Sequence, residues 1–281
     1  MLRTQQGLRL LGPSDLPAML ELSARHPVVN VFADYRARIT QLDPRWLGGE
    51  MWGYTEGGEL VSVCHSGANL VPVEATPDAL AAFASRAVGQ GRRCATIGGP
   101  ADDVAELWGH LEPHWGRPRD TRWNQPHMEI ATAPRVAPDR LVRRTTRSDL
   151  DALYPACVAM YTEELGVSPE TGGGRELYRA RVAQLISKGW SYARIEDGRV
   201  VFKAEVAAAT PYACQVQGVY VAPDRRGERL AVAGMAAVVD HALRDIAPVV
   251  SLYVNDHNVP ARRAYESVGF RETGRFATVM F

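Results

Sequence analysis

The chain has 281 residues, 46% hydrophobic and 23% charged, which is enough apolar material for the cores of two ordinary domains. Its 32 basic and 32 acidic side chains cancel at neutral pH, so no polyanion-binding field is expected, and nucleic acid and membrane surface are excluded as expected partners. No apolar run approaches the ~18 residues of a membrane span, residues 1–15 lack the apolar core of a leader, and Cys64, Cys94, Cys157 and Cys214 form neither a CxxC pair nor a cluster with histidine; a cytoplasmic protein with buried thiols and no metal is expected.

In chain order, residues 7–25 read as a short strand, a turn at Gly12-Pro13 and a helix capped by Ser14 or Asp15. Trp52-Gly53-Tyr54 leads into a hairpin turned at Gly57-Gly58. Residues 70–90 supply a strand and a helix with no arginine-glycine loop between them. There follow a strand at 93–97, a turn at Gly98-Gly99-Pro100, a helix over 101–111, a loop at 112–115 and a last strand around 128–131. The segment 133–139, with Pro134 and Pro138, reads as a linker and divides the chain into domains at 1–137 and 138–281.

The second part repeats the plan of the first. Ser148-Asp149-Leu150 opens a helix as Ser14-Asp15-Leu16 does, at an offset of 134, and Trp190-Ser191-Tyr192 precedes a turn at Asp197-Gly198 as Trp52-Gly53-Tyr54 precedes its own, at an offset of 138. Two matches in register point to a duplicated fold, although capping and hairpin chemistry can converge on these residues without common descent. The strand at 213–221 must stop at Pro223, and from Leu230 the apolar set Leu230, Ala233, Met235, Val238 and Leu243 forms an approximate helical stripe. Between them lies a loop with Arg225, Arg226, Gly227, Glu228 and Arg229. The first turn of the helix that follows leaves backbone N–H groups without partners, and an anion would satisfy them. A second block, residues 254–270, places Asn255, Asn258, Ala261, Arg262, Tyr265, Gly269 and Phe270 in a loop and helix.

The run Val221, Pro223, Arg226, Gly227 and Ala231 resembles the acyl-CoA pyrophosphate loop of the GNAT acyltransferases, whose core pattern is Q/R-x-x-G-x-G/A. Asn258, Ala261, Tyr265, Gly269 and Phe270 are similar to that family's last block, N-x-x-A-x-x-x-Y-x-x-x-G-F. The resemblance implies an α+β fold of two GNAT-like domains, each a mixed, mostly antiparallel sheet flanked by helices. The N-terminal one would be degenerate, without a cofactor loop, and the C-terminal one splayed at the cofactor site and nearest to the glycine N-acyltransferase-like branch. It implies transfer of an acetyl or other short acyl group from acetyl-CoA or another acyl-CoA to a small-molecule or peptide amine, by direct attack. One departure stands out: Arg229 occupies the pattern's first glycine, next to Glu228. The N–H groups could still face a pyrophosphate if the φ of Arg229 is negative, with three arginines outweighing Glu228, but the close approach of glycine is lost.

The resemblance also assigns roles. The backbone of Val219, Tyr220 and Val221 would bond the pantetheine arm, their side chains being ordinary core-strand residues. Arg226, Gly227, Glu228, Arg229, Leu230 and Ala231 would hold the phosphates, and Asn255, Asn258 and Arg262 would lie at the splay. Tyr265 would return a proton to the leaving thiolate, since a phenol is protonated at neutral pH; its bland alternative is a tyrosine packed on the sheet. Asn258 could equally be a helix cap.

Direct attack needs a neutral amine and hence a proton acceptor, for which Glu205 is the candidate; strand alternation puts it on one face with Lys203, so a surface ion pair is an equal alternative. Glu163 and Glu164, read as lying beyond the first helix of this domain, would draw a cationic amine or simply be solvated. Gly172-Gly173-Gly174 would make that region mobile. The N-terminal half would shape the acceptor site or mediate assembly, for instance as a homodimer. The competing functions are a non-catalytic acyl-CoA-binding sensor and a scaffold with no cofactor.

Overall fold

The computed structural model describes residues 7–281; residues 1–6, part of the stretch read above for a leader, lie outside the described residues. The elements in chain order are β1 (Gly7–Leu10), α1 (Leu16–Ser23), α2 (Val31–Thr40), α3 (Pro44–Leu47), β2 (Glu50–Glu56), β3 (Glu59–Ser66), β4 (Asn69–Val73), α4 (Pro77–Gln90), β5 (Thr96–Pro100), α5 (Ala101–Trp115) and β6 (Asp120–Ile130). After them come β7 (Arg143–Arg144), α6 (Leu150–Leu165), α7 (Arg175–Ser187), β8 (Ser191–Glu196), β9 (Arg199–Ala209), β10 (Cys214–Val221), α8 (Leu230–Asp245), β11 (Val250–Tyr253), α9 (Val259–Val268) and β12 (Arg271–Met280). The described residues form two compact units: 7–127 with Tyr253–Asp256 and Thr273–Phe281, and Met128–Leu252 with His257–Glu272.

In the first unit the strands run β1-β2-β3-β4-β5-β12-β6, with β4 and β5 parallel and the β2–β3 hairpin turned at Gly57-Gly58. Alternation along β2 sends neighbouring side chains to opposite cores. Trp52 joins Phe83 of α4 and Leu107 of α5, whereas Met51 joins Met19 and Leu22 of α1 and Ala37 of α2. The expected turn at Gly98-Gly99-Pro100 is instead the end of β5, because these residues pair with Thr278, Ala277 and Phe276 of β12. The expected loop at 112–115 is the last turn of α5, which carries Pro113 inside it and ends where the Gly116 N–H bonds the Glu112 carbonyl. Strand β6 begins at Asp120, well before the predicted 128.

The second unit is a mixed sheet ordered β11-β10-β9-β8-β7 with helices on both faces. The β8–β9 hairpin turns at Asp197-Gly198. A 3₁₀ turn at Arg147–Asp149, closed by a capping box between Thr146 and Asp149, starts α6. Strand β9 is buried on both sides. Phe202 meets α8, where a Cβ on Gly234 would fall 2.7 Å from its ring, so that helix can lie this close only over a glycine. Leu153, Cys157 and Val182 of α6 and α7 pack on the opposite face with Ala193 and Val200. The proline-bearing segment 133–139 is irregular and tied to this unit, with the Arg135 N–H bonding the Val268 carbonyl and the Asp139 N–H that of Ala233.

Candidate functional site

The site is built on β10, in the second unit. This strand pairs in parallel with β11 at Cys214–Val250 and Gln215–Ser251, and its pairing with β9 slips between Gln217 and Tyr220, so that Gly218 and Val219 together oppose Ala204. The slip is a β-bulge at a residue with φ +60°, Gly218, whose missing side chain leaves room for what lies beneath. A Cβ there would stand 3.1 Å from Met160 Cε and 3.2 Å from both Glu205 Cδ and Lys203 Nζ. Sequence reasoning passed over Gly218, although a lone glycine inside a strand pattern is a signal for a bulge. Val219, Tyr220 and Val221 follow, their side chains half-buried rather than in the core.

Past Val221 the chain makes a 3₁₀ turn at Pro223–Arg225 and enters α8 at Leu230. Gly227 has φ +87° and Arg229 has φ +61°. The expected negative φ at Arg229 is therefore corrected: the residue takes the left-handed conformation of the glycine it replaces, so the backbone keeps the path a glycine would give it. A side chain occupies a left-handed position that glycine adopts freely, at a cost of about 1–2 kcal/mol. Among the described residues the N–H groups of Gly227, Glu228, Arg229, Leu230 and Ala231 have no acceptor, while those of Val232 and Ala233 bond the Arg229 carbonyl. These unpartnered donors at the positive end of a 16-residue helix suit phosphate oxygens, so the residues present fit a nucleotide-like cofactor.

The three arginines of the loop are not equivalent. Arg225 bonds both Glu228 and Glu196, so Glu228 is neutralised by its own neighbour. Arg226 donates to the Val221 carbonyl and to Glu163 Oε2 at 2.7 Å. Arg229 is exposed.

Glu163 and Glu164 belong to the last turn of α6, not to a loop beyond it, because Pro155 is accommodated within the helix and Gly166 ends it in the left-handed region. Glu163 reaches Arg226 in the loop before α8, and Glu164 lies near enough to Tyr265 to act on it electrostatically. Tyr265 sits in α9, its ring against Phe270 and almost wholly buried. Burial, reinforced by the Glu164 charge, pushes its phenol above the ordinary value, so the hydroxyl keeps its proton at any physiological pH. Asn258 caps α9, accepting from the Ala261 N–H, and Arg262 follows one turn on with Glu272 at 4.0 Å. Asn255 is grouped with the first unit, where its Oδ1 accepts from Gln125.

Lys203 and Glu205 share a face of β9, but it is the face under α6 and α7 and not a surface. Lys203 is 1% exposed and Glu205 8%. The ammonium donates to Glu205 Oε2 at 2.9 Å, and Gln217 Nε2 donates to Oε1 at 3.0 Å. Burial alone would lower the pKa of the Lys203 ammonium; the Glu205 carboxylate and the Cys157 side chain together more than offset this and hold it above the usual lysine value. Alternation showed that the two residues point the same way and could not show that two helices cover them.

Among the described residues no helix is long and apolar enough to cross a membrane, and no cluster of potential metal ligands occurs. Residues 168–270 match the acetyltransferase (GNAT) family, and residues 49–153 match a domain of unknown function, DUF4081. A mycothiol acetyltransferase of Brachybacterium faecium is 32% identical over 166 residues, 56% of this chain; the chain spans about half (48%) of that relative's length. A GNAT-family acetyltransferase from Colwellia psychrerythraea is similar in structure, with TM-score 0.58 over 98% of this chain and 99% of its own at 13% identity. A tandem GNAT protein from the clavulanic acid biosynthesis pathway matches with TM-score 0.58 over 98% of both chains at 14% identity. At these identities the structural likeness shows the fold.

Proposed function

From the GNAT acetyltransferase domain that the C-terminal half of this chain contains, we infer an acyl-CoA-dependent N-acyltransferase that moves an acetyl or other short acyl group to an amine by direct attack. The observation that carries this reading is the row of unpartnered N–H groups from Gly227 to Ala231, placed where β10, after its bulge, feeds α8. Bound acetyl-CoA would supply the thioester whose acyl group is transferred.

The protein's own residues would do the rest. The loop N–H groups and Arg226 hold the phosphates, and the backbone of Val219, Tyr220 and Val221 offers a strand edge to an extended arm. Glu205 receives the proton that the amine must lose. Tyr265, kept protonated by burial, is the donor to the departing thiolate. Glu164, beside Tyr265, favours a cationic acceptor.

The test is turnover. With acetyl-CoA and a panel of spermidine, tyramine, glucosamine and an alanyl peptide, thiol release is expected with at least one amine, and Tyr265→Phe should reduce it 10²-fold or more. Tight binding of acetyl-CoA with no turnover on any amine would favour a sensor instead.

A further inference from the structure

A lysine with 1% exposure in the middle of a strand buried on both faces is costly unless its charge is answered, and a hydrophobic side chain of like size would fill the same space without that cost. Here the answer is a single carboxylate, and its surroundings are arranged around it. Lys203 fixes Glu205 Oε2, Gln217 fixes Oε1, and the carboxyl carbon lies 3.2 Å from where a side chain on Gly218 would begin. The bulge of β10 is thus seated directly on the ion pair. Resting on the reading of Glu205 as proton acceptor, we propose that Lys203 is a positioning residue, which holds the Glu205 carboxylate aimed at the bulge where the acceptor amine must lose its proton.

The other groups facing Glu205 leave this task to Lys203. From α6 come Met160 and Cys157, from α7 Tyr178, from β8 Ser191, which is its ladder partner, and from β10 Gln217. Burial pushes the Cys157 thiol and the Tyr178 phenol up, so both are neutral at neutral pH, and the Lys203 ammonium is the charge that answers the carboxylate. A buried carboxylate that loses an opposite charge takes up its proton at higher pH.

The experiment is the pH profile of kcat/KM, with kcat and the KM for acetyl-CoA measured separately, on the full chain with the fastest amine of the panel. Glu205→Gln is expected to abolish the acid limb of the profile. Lys203→Met should lower kcat about 10-fold or more, leave the KM for acetyl-CoA within about 2-fold, and move the acid limb to higher pH by about one unit or more. Lys203→Arg, which keeps the charge, should return the limb to its original place. If Lys203→Met does not fold, Lys203→Gln keeps a donor without charge and should show the same displacement. An acid limb that stays put in the uncharged variants overturns the positioning role. A limb that survives Glu205→Gln, or the absence of turnover with every amine, overturns the parent reading and this proposal with it.

Discussion

Arg226, in the loop between β10 and α8, and Glu163 of α6 are joined at 2.7 Å, so a guanidinium suited to phosphate is already held by a carboxylate 63 residues earlier in the chain. Both side chains are about half exposed, which limits the pair to under ~1 kcal/mol. An anionic cofactor would have to compete with Glu163 for Arg226. Glu163→Gln should therefore tighten acetyl-CoA binding a few-fold while changing thermal stability little, and the difference from the parent protein should shrink as salt is raised. Calorimetry at two ionic strengths checks this.

Arg229 carries a side chain at φ +61°, a backbone position that favours glycine. Arg229→Gly should raise stability by about 0.5–1 kcal/mol, the relief of strain being partly offset by the greater freedom of glycine in the unfolded chain. Chemical denaturation of the two forms measures it.

Gly218 lies over the Lys203–Glu205 pair, where a Cβ would stand 3.1 Å from Met160 Cε and 3.2 Å from Glu205 Cδ and Lys203 Nζ, closer than ordinary van der Waals contact. Gly218→Ala should destabilise the second unit by about 1–3 kcal/mol through strain at positive φ and crowding of Met160. Amide hydrogen exchange should place the loss in β9 and β10, leaving β2 and β3 as they were.

The pH response of the first unit follows from its buried histidines. His65 donates from Nδ1 to the Asn69 carbonyl, and its Nε2 is buried without a partner; burial, with Arg36 nearby, brings its pKa down to about 4. His127, stacked on Phe276, is likewise brought down to about 4 by burial. A histidine whose folded pKa is depressed contributes stability that is full above about 6.5 and is lost as the pH falls toward 4, by as much as ~3 kcal/mol for each group. Protection factors of the β3 amides, taken relative to intrinsic exchange at each pH, should fall between pH 7 and pH 5, and His65→Gln should flatten that dependence.

Much of the second unit could be read in the sequence because its signals are local. Pro223 marks the end of β10, the apolar stripe from Leu230 marks α8, and Asn258 sits where a cap is needed and serves as one. What escaped depends on contacts distant in sequence. Gly98 and Gly99 look like a turn until residues 277 and 278 pair with them. Lys203 and Glu205 look like a surface pair until α6 and α7 cover them. The φ of Arg229 is set by how the loop joins α8, which residue identity alone argues against.

Calorimetric titration of the full chain with acetyl-CoA tests the central claim most directly. The expected result is one site per chain with a Kd in the micromolar range, about −7 to −8 kcal/mol, weakened in an Arg226→Ala variant. No binding at millimolar acetyl-CoA, in the parent protein and in Arg229→Gly alike, would contradict the assignment of the Gly227–Ala231 turn as the cofactor site.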